Sequence, residues 1–293
     1  MLSDKNTKQK SLTVTFCGAP NVGKSTLLNR LLGCKISICS PKPQTTRDNI
    51  RGILTENETQ LIFVDTPGIF KPKHSQLEKK IVKEAWKGFC GSDLICLIID
   101  CQIGFNNSAD IILNKISNNK TPVICVCNKS DLVKIDEKIL MAKELNEKQR
   151  FDDIFFLSAK TSKGCDNLLN FFFDKAKQRQ WSFDENNLTD KNNNYFASEF
   201  VREQLFLMLQ KEIPYMLFCE TENFAYENNI AYISVVIHVA KQNHKKIILG
   251  KNGYTLKKII RRASVNLEKL LGCGVCLKLF IKVDPKRFAN QSV

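Results

Sequence analysis

The sequence predicts an α/β domain with a mostly parallel sheet, followed by a smaller α+β domain. Three observations carry this. Short apolar, β-rich runs alternate with helical patterns through residue 180. The stretch WSFDENNLTDKNNNYF, residues 181–196, is rich in asparagine and acid and has almost nothing to bury. Beyond it the order of elements changes. A chain of 293 residues is long enough for two such domains. The expected boundaries are 11–180 and 197–287, with 181–196 as a linker.

In chain order, LTVTFCG reads as a strand and KSTLLNRLLG as a helix. LIFVDTPG, DLICLIID, PVICVCNK and DIFFLSAK are four more strands, apolar on both faces as a sheet covered on both sides requires. SADIILNKISNN and GCDNLLNFFFDKAKQ are among the helical patterns between them. After the linker, ASEFVREQLFLMLQKE reads as an amphipathic helix and MLFCETE, AYISVVIHVA and KKIILG as strand. GYTLKKIIRRASVNLEKLL is one long helix or a broken pair, and VCLKLFIKV is a final strand.

Composition narrows the class. Hydrophobic residues make up 43% and charged residues 25%, as in ordinary folded proteins. No apolar run reaches the roughly 18 residues of a membrane span, and the polar start MLSDKNTKQK carries no leader pattern. The twelve cysteines sit mostly inside apolar runs and read as buried thiols of a reducing, cytoplasmic setting rather than a disulfide framework. Net charge is +14 and unevenly spread. Residues 181–239 hold three basic and nine acidic side chains, whereas 240–293 hold thirteen and two. The second block suggests a polyanion-binding face, without saying whether the polyanion is nucleic acid or lipid.

GAPNVGKST, residues 18–26, follows a strand and opens a helix, in the form G-x-x-x-x-G-K-[ST]. Gly18 and Gly23 allow the backbone through Ala19, Pro20, Asn21 and Val22 to curl, so that successive N–H groups face one phosphate. The helix adds its positive N-terminus at Ser25 and Thr26. Lys24 can reach the β- and γ-phosphates, and the Ser25 hydroxyl can ligate Mg²⁺. Three further segments select guanine. In VDTPG, Asp65 is placed to hold Mg²⁺ through water, the Gly68 N–H to sense the γ-phosphate, and Thr66, Pro67 and Ile69 to frame them. In NKSD, Asp131 can accept from guanine N1–H and the 2-amino group, a pair adenine lacks. Asn128 can meet the base's other edge and tie back to the phosphate loop, and the Lys129 stem can lie over the ring. In SAK (Ser158, Ala159, Lys160) the Ala159 N–H can meet guanine O6. Each segment ends a strand, where α/β sheets bind ligands.

Between the first loop and DTPG lies SPKPQTTRDNIRG. A threonine here would close over Mg²⁺ and the γ-phosphate and release after hydrolysis. Thr45 and Thr46 are both candidates, and Thr46 with Ser25 and Asp65 is the expected metal set. Ile69 occupies the place where many Ras-like GTPases carry a water-orienting glutamine, so slow intrinsic hydrolysis is expected. GTPases with a similar PNVGKS loop can use the asparagine to help hold K⁺. Asn21 either does this or only braces the turn.

GKNG (Gly250, Lys251, Asn252, Gly253) is a second bracketed loop, followed by a helix with Lys257, Lys258, Arg261 and Arg262. In this setting it reads as the G-x-x-G loop of a type II KH domain, which clamps the backbone of about four single-stranded nucleotides. Ile248, Leu249, Leu256 and Ile259 are candidate base-holding residues. Cys273 and Cys276 form half of a zinc-like motif and read as core, as does His238; His74 follows the switch segment.

Taken together, GAPNVGKSTLLNRLLG, SICSPKPQTTRDNIRGI, VDTPGI, NKSD, SAK, LTD, ASEFVREQL, EIPY and ILGKNGYTLKKI resemble the Era family of bacterial ribosome-assembly GTPases, of the TrmE-Era-like class. The resemblance spans nearly the whole chain. It implies a P-loop GTPase domain and a KH domain, with GTP and Mg²⁺ and optionally K⁺ as cofactors. It implies binding to the 3′ end of small-subunit ribosomal RNA and help in late assembly of that subunit. A monomer is expected. Peripheral association with the inner membrane is a family trait, and a GTPase acting at an anionic lipid surface is the alternative reading.

Overall fold

The computed structural model describes residues 8–70, 76–116, 120–148 and 150–288. These fall into two compact units. The first comprises residues up to 37, 46–72 and 80–190, and the second 38–45, 73–79 and 191 onward.

The chain runs β1 (Lys10–Cys17), α1 (Lys24–Leu32), β2 (Ile50–Glu56), β3 (Thr59–Asp65), α2 (Gln76–Lys87), β4 (Leu94–Asp100), α3 (Asn107–Ile116), β5 (Val123–Asn128), α4 (Ile135–Glu147), β6 (Ile154–Phe156), α5 (Cys165–Lys175) and β7 (Lys177–Gln178). Then follow α6 (Asn193–Met208), β8 (Leu217–Glu227), β9 (Ile230–Val239), α7 (Gln242–Leu249), α8 (Tyr254–Leu271), β10 (Gly274–Val283) and α9 (Pro285–Phe288).

In the first unit the sheet order is β2-β3-β1-β4-β5-β6, with β7 on β1. The five expected strands are β1, β3, β4, β5 and β6, all parallel along this path. Every residue of β4 and β5 is buried, so continuous apolar runs rather than alternation mark them. Two strands went unread in the sequence. IRGILTE forms β2, antiparallel to β3, and its mixed edge character hid it. β7 is a two-residue antiparallel pairing with Lys10 and Ser11 of β1, too short to leave a pattern in the sequence. Phe16, Phe63 and Phe172 pack in a row, with centroids 5.5 and 5.6 Å apart. Burying each such ring contributes about 1.5–3 kcal/mol. The helix α1 ends at Gly33, whose left-handed φ of 66° returns its N–H to the Arg30 carbonyl. Register pairs Phe16 with Asp65 and Asp100 with Asn128, so the carboxyl ends of four strands share one edge.

The stretch 181–190, expected as a loose linker, is pinned to the first unit. The Trp181 indole donates to the Lys10 and Glu58 carbonyls. The fully buried Gln60 amide binds Ser182, Phe183 and the Phe183 carbonyl. Ile53 N–H donates to Leu188 O at 2.9 Å, and Thr189 bridges Gly52. Polar side chains satisfy backbone groups here, which an apolar pattern does not reveal. Asn192 caps α6, its side chain accepting from Tyr195 N–H.

The second unit has a three-stranded sheet ordered β10-β9-β8, with β10 parallel and β8 antiparallel to β9. Phe196, Phe200, Val235, Ile237, Ile259 and Leu267 belong to its buried interior. One expectation is corrected. KKIILG is not strand but the end of α7, so a helix–loop–helix carries the second glycine loop. His244 and Ile248, four residues apart, are the buried face of α7, and four-residue spacing suits a helix. Among the described residues no helix is long and apolar enough to cross a membrane.

Candidate functional site

The loop after β1 is shaped by close approach. Gly18 has φ 146° and Gly23 has φ 100°. A Cβ on Gly18 would lie 2.3 Å from the Ile98 carbonyl oxygen, and one on Gly23 would lie 2.2 Å from the Asn128 amide nitrogen. Asn21, with φ 64°, takes a left-handed turn between them. Gly68 presses on the same loop: its Cβ would fall 2.8 Å from Pro20 Cα. Ile69 N–H donates to Gly18 O at 3.1 Å, while its side chain is buried in the apolar core and can orient no water. Thr66, next to Pro67, fixes the start of this turn by donating to Phe16 O at 2.8 Å.

Lys24 is buried and curls into the loop, donating to Gly18 O at 3.2 Å and Ala19 O at 2.9 Å. Burial pulls its pKa down, against the opposing charge of Asp65. Ser25 Oγ donates to Asp65 Oδ2 at 2.6 Å and lies 3.0 Å from Thr46 Oγ1. The two threonines are placed differently. Thr46 stands with Ser25, whereas Thr45 Oγ1 donates to Lys42 O at 2.7 Å in the second unit. Burial pushes the Asp65 pKa up, opposed by Ser25, Lys24 and Ser37. Asp65 Oδ1 is buried without a partner among the described residues. An unsatisfied carboxylate oxygen costs about 1–3 kcal/mol. Two hydroxyls and a lone carboxylate oxygen are an all-oxygen donor set that fits a hydrated Mg²⁺.

At the other end of the loop, Asn128 Nδ2 donates to Val22 O at 2.8 Å, the tie to the phosphate loop that its position suggested. Its Oδ1 accepts the Ala159 N–H at 2.9 Å, so that donor is engaged and meets guanine O6 only by sharing this bond. Lys129 takes a left-handed φ of 61°, and its Nζ pairs with Asp100 Oδ2 at 2.6 Å. The pair fixes the lysine stem at the carboxyl ends of β4 and β5. Asp131 is exposed, and a hydrogen bond with Ser158, helped by nearby Lys160, holds its carboxyl below the usual range. Thr26 lies in the first turn of α1.

Three contributors escaped the sequence reading. Asp100 anchors Lys129; its place at the end of β4 was the available signal. Ser37 Oγ donates to Asp65 Oδ2 at 2.8 Å. Arg30 donates from Nε to Ala159 O and from Nη2 to Lys160 O, bracing the SAK turn. His74 lies outside the described residues.

The second loop is open. Gly250, Asn252 and Gly253 all have positive φ, at 70°, 51° and 74°. A Cβ on Gly250 would strike Thr255 Oγ1 at 2.2 Å, but one on Gly253 would meet nothing within 4 Å. Lys251 and Asn252 are exposed, as are Lys257, Arg261 and Arg262; Lys258 is half-buried, its Nζ 6.0 Å from the Tyr254 ring. Lys257 and Arg261, like Lys258 and Arg262, are four apart on α8 and form two cationic rows. The α8 N-terminus behind Gly253 leaves backbone N–H groups for an anion. Ile248 and Ile259 are corrected: both are fully buried in the core. The apolar surface beside the loop is Ile247 and Tyr254, 47% and 67% exposed, with Leu249 and Leu256 half-buried.

The first unit is thus a P-loop GTP-binding domain, and the second carries a G-x-x-G helix–loop–helix on a three-stranded sheet. Residues 13–129 match the family described as 50S ribosome-binding GTPase, and residues 212–287 match the KH domain family. The chain is 42% identical over 290 residues to GTPase Era of Rickettsia conorii, covering 98% of this chain and 84% of the relative. It is 39% identical over 287 residues to GTPase Era of Sinorhizobium medicae, covering 96% and 92%. A solved structure of Era in complex with MgGDPNP and nucleotides 1506–1542 of 16S ribosomal RNA superposes with a TM-score of 0.90, at 35% identity over 95% of each chain. An Aquifex aeolicus Era variant bound to GDP·AlF₄⁻ has the same TM-score, identity and coverage. The chain belongs to the GTPase Era family.

Proposed function

We propose that this GTPase is a switch that binds the 3′ end of small-subunit ribosomal RNA and assists late assembly of that subunit. The observation that carries the reading is the near full-length likeness to an Era structure holding both a GTP analogue and the 3′ region of 16S RNA. The description matching residues 13–129 names the 50S subunit instead. A likeness over 95% of both chains outweighs a match confined to the first unit.

In this reading Gly18–Thr26 cradle the phosphates, with Lys24 on the β- and γ-oxygens. Ser25, Thr46 and, through water, Asp65 hold Mg²⁺, which when bound neutralises charge on the β- and γ-phosphates. The unpartnered Asp65 Oδ1 supports this set. Thr66–Ile69 lie on the γ-phosphate side, with the Gly68 N–H as its sensor. Asn128, Lys129, Asp131 and Ser158–Lys160 select guanine. Asn21, in a left-handed turn of the loop, either holds K⁺ or braces that turn. Gly250–Gly253 grip the RNA backbone, and Lys257, Lys258, Arg261 and Arg262 supply salt-dependent attraction. We propose division near 180–197, a monomer, and a cytoplasmic setting.

The test is binding of a single-stranded RNA copying the 16S 3′ end, with GTP analogue and with GDP, for wild type and Gly253→Asp. Tighter binding with the analogue, lost in the variant, supports the reading. Binding indifferent to both nucleotide and variant refutes it and favours a lipid-surface role for the basic block.

A further inference from the structure

The motif ASEFVREQL belongs to neither loop. It lies on α6, and within the second unit its charged side chains grip the segment 38–45. Arg202 and Glu203 are 3% and 1% exposed. Arg202 Nη2 donates to the Thr45 carbonyl at 2.7 Å, while its Nε pairs with Glu199 at 2.6 Å. Glu203 Oε1 accepts the Cys39 N–H at 2.8 Å. From the segment itself, Lys42 Nζ donates to the Leu209 carbonyl at 2.6 Å and also to that of Phe206. The segment is held near its start, in its middle and at its end.

Buried charges are a costly way to pack a helix against a loop; apolar side chains would do it at less cost. Charges aimed at backbone atoms specify a conformation instead. The end matters most. Thr45 closes the segment, and Thr46, one peptide bond on, belongs to the first unit, with its hydroxyl 3.0 Å from Ser25. A peptide unit is planar, so the Thr45 carbonyl oxygen and the Thr46 nitrogen share one rigid plane. An arginine that fixes that oxygen fixes the plane from which Thr46 departs.

We infer that Arg202 is a positioning residue for the GTP site: its guanidinium sets the 45–46 peptide plane and so presents the Thr46 hydroxyl to the Mg²⁺ and γ-phosphate side. Arg202 touches neither nucleotide nor metal; it acts through Thr45. Glu199 holds the guanidinium in place. The inference rests on the GTP-site reading above. It gives the ASEFVREQL motif a task.

The experiment uses the full chain and measures Kd for a non-hydrolysable GTP analogue and for GDP across Mg²⁺ concentrations, with kcat and KM for GTP. GDP lacks the γ-phosphate that Thr46 serves. Arg202→Met is expected to weaken the analogue about tenfold, as loss of a buried charge-assisted hydrogen bond implies, and GDP by less than about twofold. Arg202→Lys recovers part of the loss. Arg202→Met combined with Thr46→Ala is expected to be no weaker than Thr46→Ala alone, since both act through one hydroxyl. Equal losses for analogue and GDP, or additive losses in the double variant, overturn the inference. Should Arg202→Met fail to fold, the less buried Lys42→Ala decides. A smaller loss confined to the analogue supports the inference, and a lower Tm with an unchanged analogue-to-GDP ratio overturns it. Lys24→Ala separates the two claims. If that variant binds nucleotide like wild type, the GTP-site reading fails and takes the inference with it. If it fails to bind while the Arg202 variants discriminate nothing, only the inference fails.

Discussion

A Cβ placed on Gly23 would come within 2.2 Å of the Asn128 amide, whereas one placed on Gly253 would meet nothing within 4 Å. Both residues hold left-handed backbone and both precede a helix. The first loop is closed in by Gly68, Asn128 and Ile98, with a buried lysine folded inside. The second stands in solvent, flanked by exposed cations. The contrast teaches that the same local device serves two kinds of recognition. A small ligand read on every side requires a loop whose atoms are already crowded against it. A polymer gripped by its backbone requires a loop with room in front of it.

The largest effect should come from the closed loop. Lys24→Ala is expected to abolish GTP binding in a fluorescent-nucleotide titration, since its ammonium lies folded inside the phosphate loop; wild-type affinity would contradict the assignment. Gly23→Ala should be nearly as damaging, through the clash with Asn128. Next comes Asp131→Asn, which exchanges an acceptor for a donor. It should shift preference from GTP toward XTP by about a hundredfold, the scale of a lost paired hydrogen bond with both partners mismatched. A competition assay in which the variant still strongly prefers GTP would exclude Asp131 from base reading.

In the open loop the effects should separate by chemistry rather than by size. Gly253→Asp sets a carboxylate against phosphate and should cut RNA affinity about tenfold or more, with only a small fall in Tm from the left-handed backbone, since no atom is displaced. Gly253→Ala should cost only about 1–2 kcal/mol of stability from left-handed strain, read as a small fall in Tm, with RNA affinity close to wild type. Should Gly253→Ala abolish RNA binding while leaving Tm intact, the loop would be crowded when loaded, and the contrast with Gly23 would collapse.

Much of the first site was legible because its chemistry is contiguous. A phosphate cradle must be built from neighbouring N–H groups, so Gly18–Ser25 appear as one string. NKSD and SAK were legible because each ends an apolar strand. The pinned stretch 181–190 was not, because its partner is Gln60, a polar residue more than 120 positions away. KKIILG was misread because a short apolar run suits either helix or strand, and only the burial of His244 with Ile248 settles it.

By itself, then, the sequence determined the P-loop, the NKSD and SAK strand ends, the basic G-x-x-G turn and the family, all features whose residues are adjacent or follow in strict order. Tertiary structure decided the rest. It set Thr46 rather than Thr45 beside Ser25, left one Asp65 oxygen without a partner among the described residues, took Ile248 and Ile259 into the core, and joined Arg202 to the Thr45 carbonyl across 157 positions. The physical reason is range. Backbone geometry and strand ends are dictated locally, but which buried polar atom finds which partner depends on elements that meet only once the chain has folded.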